Sequence, residues 1–158
     1  MIKATLQDRK LVIDILAESF DSNRSVNFLV KEGSKREHHV RELMHYSFNY
    51  CYSCGDIWLN DEKTACALIL HKKKITFTSI LWNLRLAIKV IGITRVPQVI
   101  ARESKFKRFH PKANGSYLYL WLIGVKELEQ GKGFGSKLIK DIEANNAEKK
   151  PFYLETSV

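Results

Sequence analysis

Apolar residues recur along this chain with two different periods, and the changes of period divide it into elements. Ile2 to Thr5 alternates apolar and polar side chains, which predicts a short first strand. Leu11, Val12, Ile15, Leu16 and Phe20 then share one face at helical spacing, and Asp8 stands where an N-cap belongs. Asp21 to Arg24 is a polar break. A second helix is predicted from Ser34, with Glu37 completing a capping box and Val40, Leu43, Met44 and Phe48 on the apolar side. Gly55-Asp56 reads as a turn into a β-hairpin formed by Ile57 to Leu59 and Ala65 to Leu70. Phe77 to Ile91 is strongly apolar but interrupted by Arg85 and Lys89, which predicts a helix that is buried or covers a site. Another helix is expected from about Val96 to Phe109, with Pro97 in its first turn. Tyr117 to Val125 carries almost no polar side chain, the signature of a strand buried on both faces. After the polar Lys126 to Glu129, a helix is predicted over Ser136 to Asn146, with Leu138, Ile139 and Ile142 facing inward. Phe152 to Val158 begins one more strand. This is one α/β domain over residues 1–158, with 76–109 as a helical insertion.

Composition changes this picture little. The chain has 158 residues, 45% hydrophobic and 27% charged, and its net charge is +9. That balance favours anionic ligands. No nucleic-acid module accompanies the basic Lys105 to Arg108 cluster, so neither RNA nor DNA is the expected partner. The uninterrupted apolar stretches fall short of the ~18 residues that a membrane span needs, so no membrane is expected either. Three cysteines are an odd number and do not form a disulfide framework; with no leader-like opening, a reducing cytoplasm is the expected setting. Cys51-x-x-Cys54 lacks a second pair at metal spacing, and His38, His39 and His45 contain no i, i+4 pair. Metal is therefore not expected.

The chemistry concentrates in Gln130-Gly131-Lys132-Gly133-Phe134-Gly135, between the buried strand and the following helix. A helix start leaves backbone N–H groups unpaired and carries partial positive charge. Glycines let an anionic group approach those N–H groups with no Cβ in the way. A phosphate loop would need Gly-x-x-x-x-Gly-Lys-Ser/Thr, which no register supplies. A dinucleotide fingerprint would want a third glycine where Ser136 stands.

Val125 followed by Gln130-x-x-Gly133-x-Gly135 resembles the acetyl-CoA signature of the GCN5-related N-acetyltransferases, Gln/Arg-x-x-Gly-x-Gly/Ala between a fourth strand and a third helix. Leu120 to Val125 is similar to that fourth strand and Phe152 to Ser157 to the fifth. The resemblance implies a mixed, mostly antiparallel twisted sheet flanked by helices, with the fourth and fifth strands splayed apart. It also implies acetyl-CoA as donor. Gly131 to Ser136, including Lys132, Phe134 and Gly135, would wrap its pyrophosphate. Ile123 and Val125 would pair with the pantetheine amides, and Gly124 would ease close approach. Tyr119 and Trp121 would line the acceptor pocket, and Glu155 on the fifth strand is the candidate base. The implied reaction is direct acetylation of a primary amine, with a small molecule as the expected acceptor and a non-catalytic acyl-CoA-binding module as the alternative. Relatives continue with further strands and a helix, so the expectation includes a truncated acceptor side or a homodimer covering the open sheet edge.

Overall fold

The computed structural model describes residues 1–30, 33–71, 90–91, 96–107 and 117–154. In chain order the elements are β1 (Ile2–Lys3), a 3-10 turn (Leu6–Asp8), α1 (Arg9–Phe20), α2 (Arg24–Leu29), α3 (Arg36–Cys54), β2 (Gly55–Leu59), β3 (Ala65–Leu70), α4 (Val96–Lys107), β4 (Leu118–Val125), a second 3-10 turn (Glu127–Glu129), α5 (Phe134–Ala144) and β5 (Phe152–Leu154). The five strands form one sheet in the order β1-β2-β3-β4-β5. The first four are antiparallel neighbours, and β4 and β5 run parallel.

β3 lies at the centre of the sheet and is buried at all six positions, so its sequence Ala-Cys-Ala-Leu-Ile-Leu has no reason to alternate. On one side Cys66, Leu68 and Leu70 meet α1 and α3 through Val12, Ile15, Leu16, Val40, Met44 and Phe48. On the other side Ala65, Ala67 and Ile69 join Leu118 and Leu120 of β4 against Leu138 and Ile142 of α5. The helix spacing read from the sequence therefore chooses the buried faces correctly. Val90 also enters the first of these clusters. Among the described residues no helix is long and apolar enough to cross a membrane.

Four local expectations change. Asp8 does not cap α1 with its side chain; its carboxylate turns back to accept from the Thr5 N–H at 3.0 Å and the Thr5 hydroxyl at 2.9 Å. The break at Asp21 to Arg24 contains the cap of a short helix, α2, where Asn23 Oδ1 accepts from the Ser25 and Val26 N–H groups. The Ser34–Glu37 capping box does not form; α3 starts at Arg36 behind Lys35, without a side-chain cap. Gly55 is not in a turn. Its backbone is extended, and it leads α3 directly into β2, where a Cβ would run into the Ile69 carbonyl oxygen. The predicted Phe77 to Ile91 helix lies outside the described residues except for Val90 and Ile91, both buried.

Candidate functional site

β4 ends at Val125, and the chain then makes the turn that the glycine pattern foretells. Gly131 and Gly133 both adopt left-handed backbone, with φ of +77° and +82°. Open space surrounds both, so the backbone conformation, not crowding, calls for glycine there. Gly133 caps α5, which begins at Phe134, two residues earlier than the sequence suggests. A pocket of about 300 Å³ sits against this turn, lined by Val125, Glu129, Gln130, Gly131, Gly133, Phe134, Gly135 and Ser136. The helix start contributes unpaired N–H groups and positive potential to it. Gln130 reaches back, its Nε2 donating to the Val125 carbonyl at 3.2 Å, and so ties the turn to the strand end. Lys132 is committed to Glu129 through an exposed ion pair of 2.9 Å, while Lys137, one turn into α5, is exposed. Exposed pairs of this kind are weak, so an anion in the pocket competes with Glu129 for Lys132 at little cost.

The second component is the edge of β4. Ala65 spends both its backbone groups on the β2 side: its C=O accepts from the Asn60 N–H at 3.1 Å and its N–H donates to Asn60 Oδ1 at 2.7 Å. Its partner across the ladder, Val125, therefore belongs to a non-hydrogen-bonded pair and turns its own N–H and C=O away from β3. Ile123, two residues back and opposite Ala67, does the same. The described pairing of β5 covers only Leu118 to Leu120, so among the described residues no strand meets Ile123 or Val125 on that edge. Besides Gln130, a side chain of α1 does: Ser19. Its hydroxyl accepts from the Val125 N–H at 2.9 Å and donates to the Val125 carbonyl at 2.8 Å. Ser19 was not singled out by the sequence, which gives no signal for a contact spanning 106 residues.

A register shift between Leu68 and Ile69 leaves Trp121 as an extra residue in β4. It changes which face the strand presents. Tyr119, Trp121 and Leu122 pack on the α1/α3 side, whereas Ile123 and Val125 pack on the α5 side with Leu118 and Leu120. The aromatic pair expected to line an acceptor pocket thus lies on the opposite face from the glycine turn. Trp121 meets Tyr46 and Tyr50 of α3 edge-on, at 6.3 and 5.6 Å between ring centroids, and Tyr119 meets Tyr153 of β5 at 5.6 Å. Gly124 faces α1, and a Cβ there would lie 3.0 Å from Ser19 Oγ, 3.2 Å from Leu16 and 3.3 Å from Ile15. Its missing side chain serves packing against α1. Glu155 lies outside the described residues. The cysteines are free, and burial pushes the Cys66 thiol up to about 12 and Cys51 in the same direction, so neither offers a thiolate nucleophile at neutral pH.

No family model matches the chain, and no curated protein matches it by sequence. Solved structures do. An acetyltransferase from Corynebacterium glutamicum ATCC 13032, described as histone acetyltransferase HPA2 and related acetyltransferase, superposes with a TM-score of 0.71 at 20% identity, over 99% of this chain and 76% of its own. The fold is that of the GCN5-related N-acetyltransferases. The C-terminal condensation domain of Ebony, in complex with beta-alanyl-dopamine, superposes with a TM-score of 0.55 at 13% identity, over 90% of this chain and 65% of that one. The acetyltransferase fold accounts for the order of the elements, the mostly antiparallel sheet, and the position of the glycine turn at the end of the fourth strand.

Proposed function

We propose that this chain is an N-acetyltransferase that takes acetyl-CoA as donor and the primary amine of a small molecule as acceptor. One observation carries the reading. The left-handed glycines, the start of α5 and the outward-turned edge of β4 all open at one place, beside Val125. A pocket lined by backbone N–H groups suits a pyrophosphate, and an unpaired strand edge suits an extended chain carrying amides. Coenzyme A contains both, joined in that order. The residues present fit it: Gly131, Gly133, Gly135 and Ser136 beside the phosphates, with Gln130 fixing the turn, and Ile123 on the amide side.

The donor supplies a thioester. An amine nitrogen attacks its carbonyl carbon, the C–S bond breaks, the amine loses a proton, and the departing thiolate gains one. The protein's part is to hold the thioester beside β4 and to accept the amine's proton, for which Glu155 is the proposed base. Tyr119 and Trp121 are proposed to shape the acceptor side. The raised cysteines support direct attack over an acyl-enzyme route. The acetyltransferase name of the Corynebacterium neighbour, and the acylated amine held by the Ebony domain, support the reaction class.

Calorimetry with acetyl-CoA, run beside a free-thiol assay over a panel of amines, tests the proposal. Binding together with amine-dependent thiol release is expected. Binding without release for any amine would favour a non-catalytic acyl-CoA module, and no binding would overturn both readings.

A further inference from the structure

We infer that Ser19 is a strand surrogate: it holds the Val125 edge of β4 until the donor's amide chain replaces it, and so acts as a positioning residue that sets donor affinity. The inference rests on the donor reading above. A neighbouring β-strand offers one acceptor and one donor to each outward-turned residue. The Ser19 hydroxyl offers Val125 both, at 2.9 and 2.8 Å, from a half-buried position in the last turn of α1. Ile123, on the same edge, has no such substitute among the described residues. The edge is therefore satisfied at the end near the glycine turn and open one step further along. A chain of amides entering from the phosphate pocket meets Ser19 first.

Two features make the hydroxyl displaceable. The Val125 carbonyl keeps a second donor, Gln130 Nε2 at 3.2 Å, when Ser19 leaves. Ser19 itself has an alternative acceptor, since a helical serine can rotate to the carbonyl four residues back, here that of Ile15. Neither state strands a polar group, so the exchange is a choice between two satisfied arrangements. Gly124 belongs to the same device, because a side chain there would press on the hydroxyl from 3.0 Å.

The test compares CoA with 3′-phospho-ADP, which has the phosphates and no pantetheine, by calorimetry on the full chain. Amide hydrogen exchange is followed at Val125. Ser19→Ala removes the competitor, so CoA should bind about two- to tenfold tighter, the worth of one ordinary hydrogen bond, with 3′-phospho-ADP unchanged. The Val125 amide should exchange slowly in the ligand-free wild type, fast in ligand-free Ser19→Ala, and slowly again in that variant with CoA. Ser19→Thr, which keeps the hydroxyl, should behave as wild type. CoA affinity that is unchanged or weaker in Ser19→Ala, or a shift shared equally by the two ligands, overturns the inference and leaves the donor reading standing. Wild-type protein that binds neither ligand overturns both. If Ser19→Ala does not fold, Ser19→Cys, close in shape and a poor hydrogen-bond partner, takes its place, and unchanged CoA affinity there overturns the inference.

Discussion

Gly124→Ala separates two reasons for a glycine at the end of β4. The added methyl would stand 3.0 Å from Ser19 Oγ, 3.2 Å from Leu16 Cδ2 and 3.3 Å from Ile15 Cγ2. Ile15 and Leu16 are fully buried, so they have little room to retreat. Overpacking of this kind costs about 1–3 kcal/mol. For a chain of this size each kcal/mol lowers the melting temperature by about 2–4 °C, so a fall of about 2–12 °C is expected. Urea unfolding followed by circular dichroism gives the free energy directly. Ser19→Ala alone loses the two bonds to Val125, each worth roughly 0.5–1.5 kcal/mol net. In the double variant the nearest clash is gone, so the pair should cost less than the sum of the singles, by about 0.5–1 kcal/mol. If Gly124→Ala unfolds within about 0.5 kcal/mol of wild type, or the two changes are strictly additive, the packing account is wrong. A variant that keeps its stability and loses CoA would instead support the reading that the glycine makes room for a ligand.

Further outcomes follow from the same geometry. Gly133→Ala must take a left-handed backbone, so it should destabilise by about 1–2 kcal/mol in thermal melts and weaken CoA binding in calorimetry, although nothing crowds the position. Leu138→Ala, at a fully buried site between α5 and the sheet, should cost about 2–5 kcal/mol by chemical denaturation. Hydrogen bonds from Lys63 and Thr5 lower the Asp8 carboxyl to about 2. A depressed carboxyl adds stability that is present above its unfolded value, about 3.9, and is lost as pH falls towards 2. Melts of Asp8→Asn over that window should show a shallower acid slope than wild type, with little difference in slope between pH 6 and 8.

The parts of the site that lie close together in sequence were legible. Gly131 and Gly133 announce a turn because left-handed backbone leaves a mark on residue choice. The hairpin of β2 and β3 and the inward faces of α1, α3 and α5 were visible for the same reason, through period and punctuation. Other features left no local trace. α2 is six residues long, too short to display a helical period, and its only sign was Asn23. The extra residue at Trp121 falls in a nearly all-apolar strand, which has no alternation for a bulge to interrupt. Gly124 was visible as a glycine, but its reason lies in α1. Ser19 looks like any polar residue near a helix end, since its role depends on which way the backbone of a strand 106 residues later is turned.

That distance has a consequence for how the site comes into being. α1 leaves the ribosome well before β4, yet Ser19 and Val125 complete one another across 106 residues. Contacts between remote segments form slowly, because the loop between them must close before they repay it. The glycine turn can take shape from its own neighbours, but the strand edge beside it is held only after α1 and β4 have met. Folding and assembly of the donor site should therefore finish together, and refolding followed by CoA binding should lag behind refolding followed by helix content.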